Sequence, residues 1–172
     1  MGSGVDYLNR ATNSGSTEQT MECWQSSPRE TEPGMPLSPL PAHLTEFLRR
    51  PNPAVVASIK PNGELHTAAT WYEVTDDDTL LLNMDGTRAR LKYLRLDPRI
   101  ALTVFDADNW YAHVSVTGTV REIRPDIGLE DIDRLARRYT GHEYADRNRE
   151  SWTAIIDITR WHAWKSSATV DR

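Results

Sequence analysis

Residues 82–99 read LNMDGTRARLKYLRLDPR, and this stretch decides how the rest of the chain is interpreted. Its apolar start completes a strand predicted over Thr79–Met84. The loop Asp85-Gly86-Thr87 follows, and Arg88–Leu96 then has the pattern of a short basic helix. Asp97-Pro98 ends this helix, because the residue before a proline is disfavoured in the α region. The stretch therefore predicts a strand that passes through a tight loop into a helix.

The predicted helix offers a local site for an anion. Arg88, Arg90, Lys92 and Arg95 all lie on it, although the formal net charge of the chain is −5. The first turn of a helix also carries unpaired N–H groups that favour negative charge. Together these groups are suited to hold a phosphate. A solvated basic face is the alternative interpretation, because charge runs usually face water.

Strand and helix patterns continue on both sides of this stretch. They are a helix over residues 42–48, strands over 54–60, 65–75, 100–105, 110–124 and 152–164, and an amphipathic helix over about 126–139. The order is α-β-β-β-α-β-β-α-β, in which hairpins outnumber possible βαβ crossovers. The pattern predicts a mainly β protein, an antiparallel β-barrel with flanking helices.

Residues 1–34 differ in composition from the rest of the chain. They are rich in Ser, Thr, Glu and Gly and have no hydrophobic period. Such a segment buries too little apolar area to offset the entropy lost on ordering. We expect a disordered tail or an upstream extension there. Residues 35–172 have the length of one domain.

Composition argues against several classes of protein. The single cysteine, Cys23, has no partner for a disulfide within the chain. No apolar run approaches the roughly 20 residues that span a bilayer. The acidic net charge disfavours nucleic acids and anionic membranes, which bind basic surfaces. We therefore expect a cytoplasmic protein that binds neither nucleic acid nor membrane.

Motifs for other chemistries are missing from the sequence. It has no Gly-x-Gly-x-x-Gly, Walker loop, Gly-x-Ser-x-Gly or His-Glu-x-x-His motif. The histidines lack metal-ligand spacing, so we predict no metal site. The aspartates at 76–78 are typical of a polar turn. No residue is assigned a catalytic role.

The stretch at 82–99 resembles the signature of the pyridoxamine-phosphate-oxidase-like split-barrel flavoproteins. Within them, the actinobacterial deazaflavin-dependent reductases, which use coenzyme F420, are most similar. Segments at 55–63, 71–74 and 109–118 agree, so the resemblance runs from about Leu44 to Trp164. It implies a six-stranded antiparallel split β-barrel of the FMN-binding-protein type. It also implies a homodimer that binds its cofactor in a groove between the subunits.

The resemblance further implies which residues contact the cofactor. Ser58 and Ile59 match the strand beside the ring, and Thr67 and Ala68 match its neighbour. The motif on the phosphate side corresponds to Asn83, Met84, Thr87, Arg88 and Arg90. Trp110 and Tyr111 are expected to approach from the partner subunit. Trp71 and Trp152 are interpreted instead as core or dimer contacts.

The activity implied is that of an F420H2-dependent reductase. Such an enzyme transfers a hydride from the reduced deazaflavin to a conjugated small-molecule acceptor such as a quinone, enone or tetrapyrrole. An FMN-dependent oxidoreductase and a non-catalytic flavin- or haem-binding module are the alternatives. Vitamin B6 oxidation is disfavoured, because the chain ends without the family's Arg-Leu-His-Asp-Arg type motif. Tyr72 and Tyr111 are weak candidates for the proton donor.

Overall fold

Segments of alternating apolar and polar residues form most of the elements that the sequence predicts. The computed structural model describes residues 40–164, so the predicted tail at 1–34 lies outside the described residues. Within them, the α-helices α1 to α3 span Ala42–Leu48, Ala89–Leu96 and Glu130–Thr140. The strands β1 to β7 span Ala54–Ile59, Leu65–Thr70, Glu73–Val74, Leu80–Asp85, Arg99–Phe105, His113–Pro125 and Ser151–Trp164.

The strands form one antiparallel sheet in the order β2-β1-β5-β6-β7-β4-β3. The long strands β6 and β7 shift register at Thr117/Gly118 and at Val120/Glu122, and such irregularities bend a sheet. A glycine is required at the first shift, because a Cβ at Gly118 would lie 2.5 Å from the Asp157 carbonyl oxygen. The curved sheet and its flanking helices confirm the predicted mainly β split barrel.

Residues 40–164 form a sheet of seven strands, so the prediction of six is wrong. The segment predicted as one strand over 65–75 is interrupted at Trp71 and Tyr72. The Tyr72 ring is fully buried, and its hydroxyl donates to the Arg50 carbonyl oxygen at 3.2 Å. Because this ring is anchored in the core, β2 ends at Thr70, and the chain then continues as the short strand β3.

Strand β6 also begins later than the predicted start at residue 110. Asp106 Oδ1 accepts the backbone N–H groups of Asp108 and Asn109 at 2.9 and 3.1 Å, and these bonds hold a turn. Trp110 and Tyr111 therefore lie in the turn before β6. Their exposed fractions are 66% and 54%.

Strand β4 is buried on both of its faces. Its inward side chains pack with those of α2 in the barrel core, which includes Leu80, Leu82, Met84, Leu91 and Leu94. Leu81 points the other way and packs with Leu135 of α3 and Ile155 of β7. Helix α3 is thereby held against the outside of the sheet beside β4. None of the helices in residues 40–164 is long and apolar enough to cross a membrane.

The start of α3 is fixed by a buried carboxylate. Asp126 accepts the backbone N–H groups of Asp131 at 2.9 Å and of Ile132 at 3.1 Å. The same carboxylate accepts hydrogen bonds from Asn83 of β4 at 3.0 Å and from Ser151 of β7 at 2.9 Å. One residue thus ties the helix to the two strands that it covers.

Candidate functional site

A cleft of about 840 Å³ opens at the end of β4. Its walls come from the edge strand β2, the start of α2, the helix α3 and the loop 141–150 between α3 and β7. The volume is within the usual range for ligand pockets, about 300–1,000 Å³. This is the candidate site, because charged and aromatic side chains converge on it.

Arg90 presents a buried cation to the cleft. The residue is only 9% exposed, and its Nη2 donates to Thr70 Oγ1 at 3.4 Å. Its Nε has no hydrogen-bond partner, and no carboxylate pairs with it among residues 40–164. Burial, and then the neighbouring charge of Arg88, lower the pKa of Arg90. A buried charge without a partner is costly, so an anion bound here would stabilise the arrangement.

The loop between β4 and α2 is held in place from both sides. Asp85 Oδ1 accepts the backbone N–H of Thr87 at 2.8 Å and its hydroxyl at 2.5 Å. Gly86 donates its N–H to the Glu150 carbonyl oxygen at 2.7 Å. The hydrogen bonds from Thr87 are the main cause that lowers the pKa of Asp85. The loop aims the first turn of α2, with Arg88 exposed beside it, at the cleft.

Asn83 links the cleft to the interior. Its Nδ2 donates to Asp126 Oδ2 at 3.0 Å and to Ser151 Oγ at 2.9 Å. Its Oδ1 accepts a hydrogen bond from Arg149 Nη2 at 3.0 Å. The side chain is therefore a positioning group that holds Arg149 against the end of β4.

An aromatic wall, made of Trp71, Tyr139 and Tyr144, lines the cleft. Trp71 and Tyr139 are stacked, with ring centroids 5.4 Å apart and planes 10° apart. Tyr144 meets Trp71 edge-on at 6.2 Å. The three rings thus present aromatic surface to the cleft.

The predicted site residues divide into two groups. Those that line the cleft are Ala68, Asn83, Met84, Arg88 and Arg90. Those that do not line it are Ser58, Ile59, Thr67, Thr87, Trp110 and Tyr111. Whether either group contacts a cofactor stays a prediction.

The second group lies elsewhere for identifiable reasons. Ser58 is 1% exposed inside β1, with no hydrogen-bond partner for its Oγ in the described part of the chain. Ile59 and Thr67 belong to the sheet face that carries Val55 and Leu65, whereas Ser58 points to the opposite face. The Thr87 hydroxyl is already directed at Asp85.

The cleft residues that were not predicted include Trp71, Tyr139, Tyr144 and Arg149. Trp71 lines the cleft, although the sequence favoured a core or dimer contact. Tyr72 is not a suitable proton donor to the cleft, because its ring is fully buried and its hydroxyl donates to a backbone carbonyl. Burial also raises the pKa of Tyr72.

The split barrel and its cationic cleft at the β4–α2 loop define a protein of the flavin-binding split-barrel class. The pyridoxamine 5'-phosphate oxidase family matches residues 40–165, and the chain belongs to that family. Among solved structures, the chain is similar to an F420 reductase, with 26% sequence identity and a TM-score of 0.61. The match covers 67% of this chain and 93% of that one.

Two more distant structures share the fold. The conserved hypothetical protein Rv2991 from Mycobacterium tuberculosis is 22% identical with a TM-score of 0.56, covering 80% of this chain and 91% of that one. General Stress Protein 26 from Bacillus anthracis is 15% identical with a TM-score of 0.54, covering 71% and 94%. No curated protein matches the chain.

Proposed function

We propose that the protein is an F420H2-dependent reductase that acts on a conjugated small-molecule acceptor in the cleft. The observation that carries the proposal is Arg90, a buried guanidinium in the first turn of α2 with no carboxylate partner in the described chain. A deazaflavin is favoured over FMN because the 82–99 stretch resembles the F420 reductases and one such structure is 26% identical.

The residues present fit a cofactor that carries a phosphate and a tricyclic ring. Arg90 and Arg88 would hold the phosphate together with N–H groups of the first turn of α2. The aromatic wall and Met84 supply apolar surface for planar rings. When bound, the reduced deazaflavin supplies the hydride, and the protein supplies orientation and a site with little water.

The proton that accompanies the hydride has few possible donors in the cleft. The Thr70 hydroxyl already donates to the Trp71 carbonyl oxygen at 3.0 Å, and the Tyr139 hydroxyl donates to that of Asn52 at 3.1 Å. Tyr144 also lines the cleft, so its hydroxyl or a water molecule is the donor in this proposal.

A homodimer is part of the proposal. The outward face of β2, β1, β5 and β6 carries a group of uncharged side chains across four strands: Leu65, Thr67, Ala69, Val55, Ala57, Ile59, Ala101, Thr103, Ser115 and Thr117. Arg99 and His113, at the starts of β5 and β6, lie on the same face at its border. Val55 and Leu65 on this face are 37% and 72% exposed. A second copy that covers this face would also bury Ile59 and Thr67. Light scattering at micromolar concentration is expected to give twice the monomer mass, and a monomer would contradict the dimer.

A fluorescence titration with F420 and with FMN tests the cofactor assignment. We expect F420 to bind more tightly, and reduced F420 to be oxidised when a quinone such as menadione is added. Tighter binding of FMN would favour the FMN-dependent oxidoreductase. Binding of either cofactor without turnover of any acceptor would favour a non-catalytic module.

A further inference from the structure

The cleft contains a second buried cation, Arg149, which comes from a different element than Arg90. It lies in loop 141–150, immediately before β7, and its side chain is only 6% exposed. Its neighbours are Asn83, Asp85 and Tyr144, whereas Arg90 contacts Thr70. The two guanidinium groups therefore share no hydrogen-bonding or stacking neighbour and form separate sites.

The Arg149 guanidinium retains unused hydrogen-bonding capacity. Nη2 donates to Asn83 Oδ1 at 3.0 Å, but Nε has no hydrogen-bond partner among residues 40–164. The carboxylate of Asp85 is 4.0 Å from Nε, and its other oxygen already accepts two hydrogen bonds from Thr87. A planar guanidinium with free N–H groups suits bidentate binding of a carboxylate.

The surroundings hold Arg149 in one orientation before any ligand binds. Its guanidinium carbon lies 4.6 Å from the centre of the Tyr144 ring, which it stacks over. The next residue, Glu150, accepts the Gly86 N–H, and Ser151 pairs with Asp85 in the sheet. Because the side chain is already ordered, a ligand would not have to immobilise it on binding.

The aromatic wall continues directly from Arg149. Tyr144 contacts Arg149 through its ring face and Trp71 at its edge, and all of these residues line the same cleft. A planar ring placed against this wall can direct an attached acidic group at Arg149. The cleft is also cationic, with three arginines against Asp85 and Asp146, and Asp146 is exposed on the loop.

We infer that Arg149 is a second anion subsite, which binds the carboxylate of a planar, conjugated acceptor lying against Trp71 and Tyr144. The inference rests on the proposed function, because the cofactor phosphate is assigned to Arg88 and Arg90 and leaves Arg149 to the substrate. The same chemistry could come from a carboxylate in the glutamate tail of F420. FMN lacks such a carboxylate, so measurements on the FMN-bound protein distinguish the two sources.

Isothermal titration calorimetry with 2-naphthoate on the FMN-saturated protein tests the subsite. Uncharged 2-naphthamide is the ligand control. Arg149→Met is expected to weaken naphthoate binding by about tenfold or more, the effect of losing a charge-assisted pair, and to leave naphthamide binding unchanged. Arg149→Lys keeps the charge but loses the planar fork, so its effect should be intermediate. Lys92→Met removes an equal charge from the exposed side of α2 and should leave naphthoate binding unchanged.

A purely structural role for Arg149 would give a different result. In that case Arg149→Met would lower the melting temperature and weaken naphthoate and naphthamide equally. Should Arg149→Met fail to fold, the naphthoate-to-naphthamide ratio of Arg149→Lys decides, and an unchanged ratio overturns the inference. Equal naphthoate affinity in wild type and Arg149→Met, or no naphthoate binding, would also overturn it.

Two further results show whether the carboxylate belongs to the substrate or to the cofactor, and whether the proposed function itself fails. If Arg149→Met weakens F420 binding but changes neither FMN nor naphthoate binding, the carboxylate belongs to the cofactor and the substrate assignment is wrong. If wild type binds neither F420 nor FMN, the proposed function fails. Naphthoate binding to that cofactor-free protein, lost in Arg149→Met, would still support the subsite, and its absence would overturn it.

Discussion

Two groups of buried polar side chains lie side by side in this protein and differ in how completely they are paired. The Asp126 network consists of Asp126, Asn83, Ser151, Thr153 and Asp131, and hydrogen bonds link its members to one another and to the start of α3. In the cleft, Arg90 and Arg149 each keep an Nε without a hydrogen-bond partner in the described chain.

This difference distinguishes buried polar groups that stabilise the fold from buried polar groups that are available to a ligand. A buried network with all its partners present contributes rigidity, whereas an unpaired buried donor lowers stability until a ligand completes it. Asn83 belongs to both groups, since its Nδ2 serves the network and its Oδ1 holds Arg149. The Asp126 network thus holds Arg149 in place through Asn83 without neutralising the charge of the cleft.

The largest expected effect comes from breaking the Asp126 network. Asp126→Ala would leave two backbone N–H groups of α3 without their acceptor and would remove one acceptor each from Asn83 and Ser151. We therefore expect a loss of about 3 kcal/mol in the free energy of unfolding. Urea denaturation provides the measurement. Asp146→Ala, which removes an exposed carboxylate near the same helix, should change stability by no more than about 0.5 kcal/mol. Equal effects of the two substitutions would contradict the comparison.

Removing the cleft cation should change ligand affinity. Arg90→Ala is expected to weaken cofactor binding by about 1.5–3 kcal/mol, the scale of a charge-assisted hydrogen bond, and Arg88→Ala should weaken it as well. Arg95→Ala should matter less, because Arg95 lies about two turns along α2 and stacks over Trp152 at 4.3 Å. Fluorescence titration measures all three variants, and four equal affinities would refute the anion site.

Substitutions in the two groups should change stability in opposite directions. Arg90→Met keeps an apolar stem of similar length and removes a buried charge that has no carboxylate partner in residues 40–164. We expect the ligand-free protein to gain up to about 1 kcal/mol. Urea denaturation in a buffer without phosphate is the appropriate measurement. A loss of stability as large as that of Asp126→Ala would mean that the cleft cation is structural.

The smallest expected effect is a pH dependence from Asp85, whose pKa is lowered mainly by hydrogen bonds from Thr87. A carboxyl group with a lowered folded-state pKa contributes stability above its unfolded pKa of about 4 and loses it as the pH falls through the folded value. The difference in melting temperature between wild type and Asp85→Asn should therefore be flat from pH 8 to about pH 5 and shrink below about pH 4. A difference that shrinks between pH 7 and pH 5 would contradict this assignment.

The sequence predicted the parts of the molecule in which local pattern and tertiary position agree. The apolar run of β4 and the glycine loop before α2 were sufficient to place Arg88 and Arg90 beside one another. The strand break at Trp71 and Tyr72 was missed, because the alternation runs on through it and the buried Tyr72 ring that causes it contacts Arg50, far away in sequence. The extra strand β3 was missed for the same reason.

Loop 141–150 explains most of what the sequence could not predict about the site. Tyr144 and Arg149 lie in a segment without hydrophobic period, and their importance depends on contacts with Trp71 and Asn83 from distant elements. Tyr139 was recognised only as part of the apolar face of α3. An arginine in such a loop looks in sequence like any solvated charge.

The same loop has a consequence for how the protein can change over generations. Its middle is exposed, while its ends are fixed by α3 and by the pairing of β7 with β4. Exposed positions such as Ala145 and Asp146 can therefore change with little harm to folding, and Asp146 lines the cleft. Arg147 is more constrained, because its Nη1 donates to the buried Asp133 carboxylate at 2.6 Å. Leu91 and Leu94 of α2 cannot vary as freely, since they pack into the barrel core. Selection for a new acceptor would act first on the loop, and a library randomised there would explore substrate range on an unchanged scaffold.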